Sequence, residues 1–165
     1  MTSEHLLHTI PPIYDGNSQI LILGSFPSVK SREVSFYYGH PQNRFWRVLA
    51  AVLGCAVPSS NEEKTALLHS HNIALWDVIK SCDIVGSSDS SIKNVVPNDI
   101  GAILSSCGIR QIYSNGKTSE KLFNKYIKDT VGRDTVALPS TSPANASYNL
   151  ERLTDSWSVI KNNIR

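Results

Sequence analysis

The chain has 165 residues, of which 41% are hydrophobic and 18% charged, and its net charge is +2. This length suits one domain over residues 1–165, and the composition excludes a disordered or fibrous chain. Proteins that coat nucleic acid usually carry a larger basic excess, so the charge neither supports nor excludes contact with a few phosphates.

Neither membrane segments nor metal motifs stand out in the sequence. No apolar run approaches the roughly 20 residues that span a bilayer, and the first twelve residues do not resemble a signal peptide. We therefore expect a cytoplasmic protein with no membrane contact. Cys55, Cys82 and Cys107 form no CxxC pair, so we expect reduced thiols and no bound metal.

Four short segments predict buried strands: residues 19–24, 73–79, 109–114 and 135–138. They are rich in Ile, Val and Leu and do not alternate with polar residues, which is typical of central strands in a parallel sheet. Helical patterns lie between and after them, at residues 43–53, after the Ser60 and Glu63 capping box, at 117–127, and around Leu153 and Trp157. The order predicts an α/β fold, a three-layer α/β/α sandwich with a short central parallel four-stranded sheet.

Ligands of such sheets bind at the carboxyl ends of the strands, so the loops that follow the strands are of interest. The first strand is followed by GSFPS (residues 24–28), in which Gly24 permits a sharp turn and Pro27 fixes the loop. This loop is neither GxGxxG nor a P-loop, which removes the main support for a dinucleotide or nucleoside-triphosphate site.

A dense aromatic and polar segment, FYYGHPQNRFW (residues 36–46), precedes the first of these helices. We predict that Phe45 and Trp46 belong to the core. We predict that Tyr38 and Asn43 face a ligand at the mouth of the cleft, although capping of the helix would also explain Asn43.

Polar residues also follow the other strands. Asp77 lies in an apolar strand, where a carboxylate must be paired or must face a ligand, and both explanations are equally good. Asn115-Gly116-Lys117-Thr118 suits a phosphate cradle or an ordinary turn. The Ser/Pro-rich loop over residues 138–146 could hold a phosphate backbone without basic side chains.

Together, GSFPS, YYGHPQNRFW, ALWDVI and LPSTSPAN resemble the motifs of the uracil-DNA glycosylase superfamily, and they are closest to its hypoxanthine-DNA (deoxyinosine) glycosylase branch. The resemblance runs from about residue 10 to residue 145. It implies a base-excision repair enzyme that acts on DNA containing a deaminated base, without a cofactor and as a monomer. A uracil or broad-specificity glycosylase and a non-catalytic nucleic-acid-binding module on the same fold remain alternatives.

The departures from the superfamily pattern are informative. Ser25 stands where most branches carry Asp or Asn, and Ser140 stands where the uracil enzymes carry His. Both differences argue against an efficient uracil-only enzyme. In the hypoxanthine branch the catalytic side chain is an Asn that matches Asn43, which would orient water or stabilise the cationic sugar, with Ser25 beside it.

The resemblance also assigns the remaining site residues. Tyr38, Phe26 and Ser140 would bind the base, with the Tyr38 ring stacked on it. Asp77 replaces a base-reading Asn, and because a carboxylate only accepts, it would favour the N1–H of hypoxanthine over the bare N1 of adenine. The expected DNA contacts are Ser28, Lys30, Gly116, Lys117, Ser142 and Asn145.

Overall fold

The computed structural model of the protein describes residues 2–165. The strands are β1 (Glu4–Leu7), β2 (Ile20–Gly24), β3 (Ile73–Asp77), β4 (Ile79–Ile84), β5 (Lys93–Pro97), β6 (Gln111–Asn115) and β7 (Thr135–Leu138). The α-helices are α1 (Val29–Val34), α2 (Phe45–Leu53), α3 (Asn61–Ser70), α4 (Ile100–Ser106), α5 (Lys117–Tyr126), α6 (Lys128–Val131) and α7 (Leu150–Trp157). Short 3-10 helices cover Asp89–Ser91 and Ser158–Asn163.

The four predicted strands form one parallel sheet in the order β3-β2-β6-β7, which confirms the predicted fold class. All five residues of β2 are buried, as expected for the central strand of a sheet that is covered on both faces. One face packs on α2, α3 and α7 through residues such as Phe45, Leu68 and Trp157. The other face packs on α4 and α5 through residues such as Ile103 and Phe123. The carboxyl ends of all four strands therefore meet at one edge.

A second sheet was not predicted. Strands β1, β4 and β5 form an antiparallel sheet in the order β1-β4-β5, and its buried side joins the core beneath α4. The predicted strand at residues 73–79 is too long, because β3 ends at Asp77 and the chain enters β4 at Ile79. Strands β1 and β5 are largely exposed, so they lack the apolar runs that reveal the central strands.

Local signals explain where the helices begin. The predicted helix at residues 43–53 begins at Phe45, because the Asn43 side chain accepts the Phe45 N–H from outside the helix at 2.9 Å. Helix α3 begins after Ser60, whose hydroxyl accepts the Glu63 N–H, as the capping motif predicts. Among residues 2–165, no helix has the length and apolar character needed to cross a membrane.

Candidate active site

A pocket of about 400 Å³ opens at the carboxyl-terminal edge of the parallel sheet, within the size range of small-ligand sites. The loops after β2 and β7 line it, together with the last residues of β2, β3 and β6, the segment before α2 and the loop between β4 and β5. Eight of the twelve predicted site residues line this pocket: Ser25, Phe26, Ser28, Tyr38, Asn43, Asp77, Ser140 and Ser142.

Tyr38 forms an aromatic wall of the pocket. Its ring stacks on the buried ring of Phe45, with centroids 4.2 Å apart and an interplanar angle of 20°. Its φ of 53° lies in the left-handed region, a strained conformation for a tyrosine. Because Phe45 covers one ring face, only the other face of Tyr38 remains for a ligand.

The Tyr38 hydroxyl is buried and makes no hydrogen bond to any of residues 2–165. Burial, and then the negative charge of Asp77, raise the pKa of Tyr38 well above its ordinary value, and the nearby Asn115 side chain acts in the opposite direction. The hydroxyl therefore stays protonated and has a proton to donate. A buried donor without a partner costs stability, which suggests that a ligand completes this part of the pocket.

Asn43 is fixed by a network that joins two distant loops. Its Oδ1 atom accepts from the Phe45 N–H at 2.9 Å and from the Thr141 hydroxyl at 2.9 Å. The Asn115 side chain holds Thr141 in turn, donating to its hydroxyl and accepting its N–H, both at 3.0 Å. Because the Phe45 N–H requires an acceptor, the orientation of the Asn43 amide is determined, and its NH₂ group is the end left without a partner among residues 2–165.

Asp77 lies at the end of β3 with its side chain only 5% exposed. Its Oδ2 atom lies 2.7 Å from Nε2 of His8, a residue from the amino-terminal segment. Its Oδ1 atom lies above Gly24, where an added Cβ would come within 2.4 Å of it and within 2.9 Å of the Tyr38 hydroxyl oxygen. Only glycine at position 24 therefore lets the carboxylate and the phenol occupy the floor of the pocket.

Ser25 lies beside a carboxylate from the loop that connects β4 and β5 of the antiparallel sheet. Its hydroxyl donates to Oδ1 of Asp89 at 3.4 Å, and Asp89 lines the pocket with Ser87, Ser88 and Ser90. Asp89 keeps an exposed surface, but the neighbouring protein atoms displace part of its hydration, and this burial raises its pKa, while hydrogen bonds from Ser25 and Thr118 lower it. A carboxylate is therefore present beside Ser25, although the sequence has none at position 25.

Arg44 organises the loop that follows β7. Its guanidinium donates to the backbone carbonyls of Ser142 at 2.8 Å, Asn145 at 3.1 Å and Tyr148. Its backbone N–H donates to the carbonyl of Thr141 at 3.1 Å. Because one planar cation satisfies several carbonyls, the loop is held in a single conformation. The positions of Ser140 and Ser142 in this loop are thereby fixed.

Four predicted DNA contacts lie outside the pocket lining. Lys30 is exposed on α1 and forms an ion pair with Glu33 at 3.6 Å. Gly116 is the N-cap of α5, followed by the exposed Lys117. The Asn145 side chain donates to the carbonyl of Ser140 at 3.0 Å, within its own loop.

Sequence reasoning missed four residues at this site: His8, Asp89, Arg44 and Thr141. His8 and Asp89 come from the antiparallel sheet region, which no sequence pattern revealed. Arg44 and Thr141 lie inside motifs that were recognised, but their hydrogen bonds span about a hundred residues of sequence. The one available signal was that both residues are polar and lie next to predicted site residues.

Comparisons with known proteins agree with this geometry. The family model of the uracil DNA glycosylase superfamily matches residues 11–162. The chain belongs to this superfamily. By family it is a DNA glycosylase, as the motifs predicted, and DNA is its substrate class.

Two curated relatives come from two Methanosarcina species. The hypoxanthine DNA glycosylase of Methanosarcina barkeri (strain Fusaro / DSM 804) is 36% identical over 137 residues, covering 82% of this chain and 85% of the relative. That of Methanosarcina acetivorans is 34% identical over 152 residues, covering 91% of this chain and 94% of the relative.

A solved structure has the same fold. It is the solution NMR structure of a candidate uracil DNA glycosylase from Methanosarcina acetivorans, with a TM-score of 0.79 and 33% identity. The match covers 93% of this chain and 95% of that protein. The predicted resemblance to the hypoxanthine branch is thus confirmed at the level of family and relatives.

Proposed function

We propose that the protein is a monofunctional hypoxanthine-DNA glycosylase, which hydrolyses the N-glycosidic bond of deoxyinosine and leaves an abasic site. The observation that carries this proposal is the position of Asp77, a buried acceptor on the floor of a pocket that is also lined by Tyr38 and Asn43. The names of the two Methanosarcina relatives support the choice of base.

A base stacked in a duplex is out of reach, so the enzyme would flip it into this pocket. The free face of the Tyr38 ring would stack on the base, which contributes about 1–3 kcal/mol per base in comparable sites. Oδ1 of Asp77 would accept the N1–H of hypoxanthine. Adenine presents a bare N1 there, so two acceptors would face each other and adenine would be rejected.

The role of Asn43 follows from its orientation. Its oxygen already accepts two hydrogen bonds, so the amide presents donors and is poorly suited to stabilise a cationic sugar. In the hydrolysis the C1′–N9 bond breaks and its electron pair goes to the base. A water oxygen bonds to C1′, and the proton that this water loses neutralises the released base. We infer that the Asn43 NH₂ group donates to the departing base, where negative charge develops.

DNA outside the pocket would contact the protein mainly through its phosphates. Ser28 and Ser142 lie at the pocket, and Lys30 and Lys117 are exposed on α1 and α5. Gly116 and Asn145 would contribute backbone and amide groups at the same sheet edge. This set contains only two cations, in keeping with the modest net charge of +2.

The test is a panel of labelled duplexes that contain inosine, xanthosine, uracil or no lesion, followed by alkali to cleave abasic sites. We expect fastest release from inosine. We expect no strand cleavage before alkali, because the residues that line the pocket include no lysine that could form a Schiff base. Asn43→Ala serves as the folded, inactive control. Faster release of uracil than of hypoxanthine would contradict the proposed substrate. Binding of the inosine duplex without release of the base would contradict the proposed enzymatic function.

A further inference from the structure

His8 reaches the proposed base-reading carboxylate from outside the strand-end motifs. It follows β1, and its Nε2 atom lies 2.7 Å from Oδ2 of Asp77. The two side chains are only 1% and 5% exposed. Solvent is therefore not available to replace either partner, and a polar pair buried this deeply would cost stability if either member were lost.

The chemistry of the two groups gives the bond its direction. An ionised carboxylate accepts only, so Nε2 of His8 carries the proton and donates it to Oδ2 of Asp77. This bond occupies one carboxylate oxygen and fixes the plane of the group. Oδ1, above Gly24, is then the oxygen that remains for a ligand.

The His8 ring is itself held in place. Its backbone N–H donates to the carbonyl of Lys80 at 2.7 Å. The ring packs edge-on against Phe26 at 6.0 Å and lies 6.1 Å from the ring of Tyr37. The Tyr37 hydroxyl anchors the following segment by donating to the carbonyl of Pro11 at 2.9 Å.

We propose that His8 is a positioning residue that sets base specificity by presenting Oδ1 of Asp77 as a single, oriented acceptor to the flipped base. The role rests on the proposed function, because it needs a base in the pocket. Through His8 the amino-terminal segment takes part in base selection, in addition to forming a strand of the antiparallel sheet.

The role of His8 requires an acid, rather than an amide, at position 77. If Asp77 became Asn, the Nε2–H of His8 would attract the amide oxygen and turn the NH₂ group toward the base. The pocket would then present a donor to the N1–H of hypoxanthine, and the two donors would conflict. His8 therefore explains why an acid, rather than the amide of the uracil enzymes, suits an inosine enzyme.

The experiment compares His8→Gln with His8→Asn, a matched pair that differs by one methylene. The amide nitrogen of Gln reaches the position of Nε2, whereas that of Asn is too short. The readout is the ratio of kcat/KM for duplexes with inosine and with purine deoxyriboside, which has a bare N1 in place of N1–H. We expect His8→Gln to keep the wild-type ratio within about threefold and His8→Asn to lower it about 10- to 100-fold, as for loss of a charge-assisted hydrogen bond.

The Asp77→Asn background supplies the second comparison. There the amide introduced by His8→Gln can either donate to or accept from the amide at position 77, and the amide introduced by His8→Asn is too short to reach it. Neither change then fixes the orientation at position 77, so we expect the difference between His8→Gln and His8→Asn to disappear. If His8→Asn did not fold, NMR of the wild-type protein would test the hydrogen bond between His8 and Asp77 directly. The imidazole N–H resonance of a proton held between these residues should be shifted downfield, and this shifted resonance should be absent from Asp77→Asn.

The outcomes separate the two proposals. Equal ratios for His8→Gln, His8→Asn and wild type, or the absence of the shifted resonance, would overturn the role of His8 while inosine excision stands. A wild-type protein that releases no base from any duplex would overturn the proposed function, and this role with it.

Discussion

The hydroxyl of Thr141 donates to Oδ1 of Asn43 at 2.9 Å, joining the segment before α2 to the loop after β7. Two sequence motifs that are almost a hundred residues apart thereby form one hydrogen-bonded unit. The Phe45 N–H decides which end of the Asn43 amide is free, and the Thr141 hydroxyl holds the oxygen end in place. The proposed mechanism depends on that orientation, and substitutions at Asn43 and at Thr141 test it.

Replacing Asn43 by Asp keeps the acceptor for Phe45 and Thr141 but removes the NH₂ donor. We expect kcat on inosine duplexes to fall about 100-fold, as when one donor to a developing anion is removed. Single-turnover kinetics measure this loss, with the melting temperature as the check on folding. Retained or increased activity would mean that the group at position 43 acts as an acceptor toward water.

Thr141→Val removes the buried hydroxyl and leaves Asn115 and Asn43 each without one partner. We expect the free energy of unfolding to fall by about 1–3 kcal/mol. We also expect kcat to fall about tenfold, because the Asn43 amide is less firmly oriented. Thr141→Ser keeps the hydroxyl and should recover most of the activity, so equal activity of the Val and Ser variants would argue against this link.

Arg44→Lys tests whether a planar guanidinium is needed to hold the loop after β7. A lysine cannot satisfy the carbonyls of Ser142, Asn145 and Tyr148 together, so we expect the free energy of unfolding to fall by about 2–3 kcal/mol. Denaturant unfolding measures the change. Arg47→Lys is the matched control, because Arg47 is exposed and makes only long contacts at 3.4 and 3.5 Å. An equal loss of unfolding free energy in Arg44→Lys and Arg47→Lys would contradict the conclusion that Arg44 holds the loop after β7.

Tyr37→Phe should lower the stability of the folded protein, whereas Tyr38→Phe should not. Tyr38→Phe removes a buried hydroxyl that has no partner, so we expect stability to stay the same or rise by about 1 kcal/mol. Tyr37→Phe removes a hydroxyl that donates to Pro11, so we expect a loss of about 1 kcal/mol. If the Tyr38 hydroxyl contacts the base, Tyr38→Phe also lowers kcat/KM for inosine about tenfold. Destabilisation by Tyr38→Phe would show that its hydroxyl has a partner in the free protein.

Asp89 predicts a dependence of stability on pH. Its folded-state pKa is raised, chiefly by burial, so the folded protein favours the protonated form relative to the unfolded chain. Wild-type stability contributed by this group is present below about pH 4 and is lost as the pH rises through the raised pKa. The side chain introduced by Asp89→Asn cannot ionise. The melting temperature of this variant relative to wild type should therefore increase between about pH 4 and the raised pKa of Asp89, and then level off.

The matched control for this prediction is Asp155→Asn, on the exposed surface of α7. We expect no comparable change in its melting temperature relative to wild type across the same pH range. A difference between Asp89→Asn and wild type that stays constant from pH 3 to pH 7 would contradict the predicted direction.

The sequence by itself determined the parallel sheet and the family. Runs of apolar residues such as those of β2 can only be buried on both faces, and helices between such strands require parallel connections that place the loops at one edge. The motifs in those loops are contiguous in sequence, so the residue pattern alone was enough to select Ser25, Tyr38, Asn43 and Asp77. Their roles as site residues remain predictions.

Only the tertiary structure decided how these residues are held. The antiparallel sheet has exposed strands whose sequence signal is weak, yet it brings His8 to Asp77 and Asp89 to Ser25. The Thr141 hydroxyl holds the Asn43 amide against the loop after β7, and Arg44 holds that loop in place. Such contacts join residues far apart in the chain, and no local pattern encodes them, because their energy appears only once the sheet has brought the loops together.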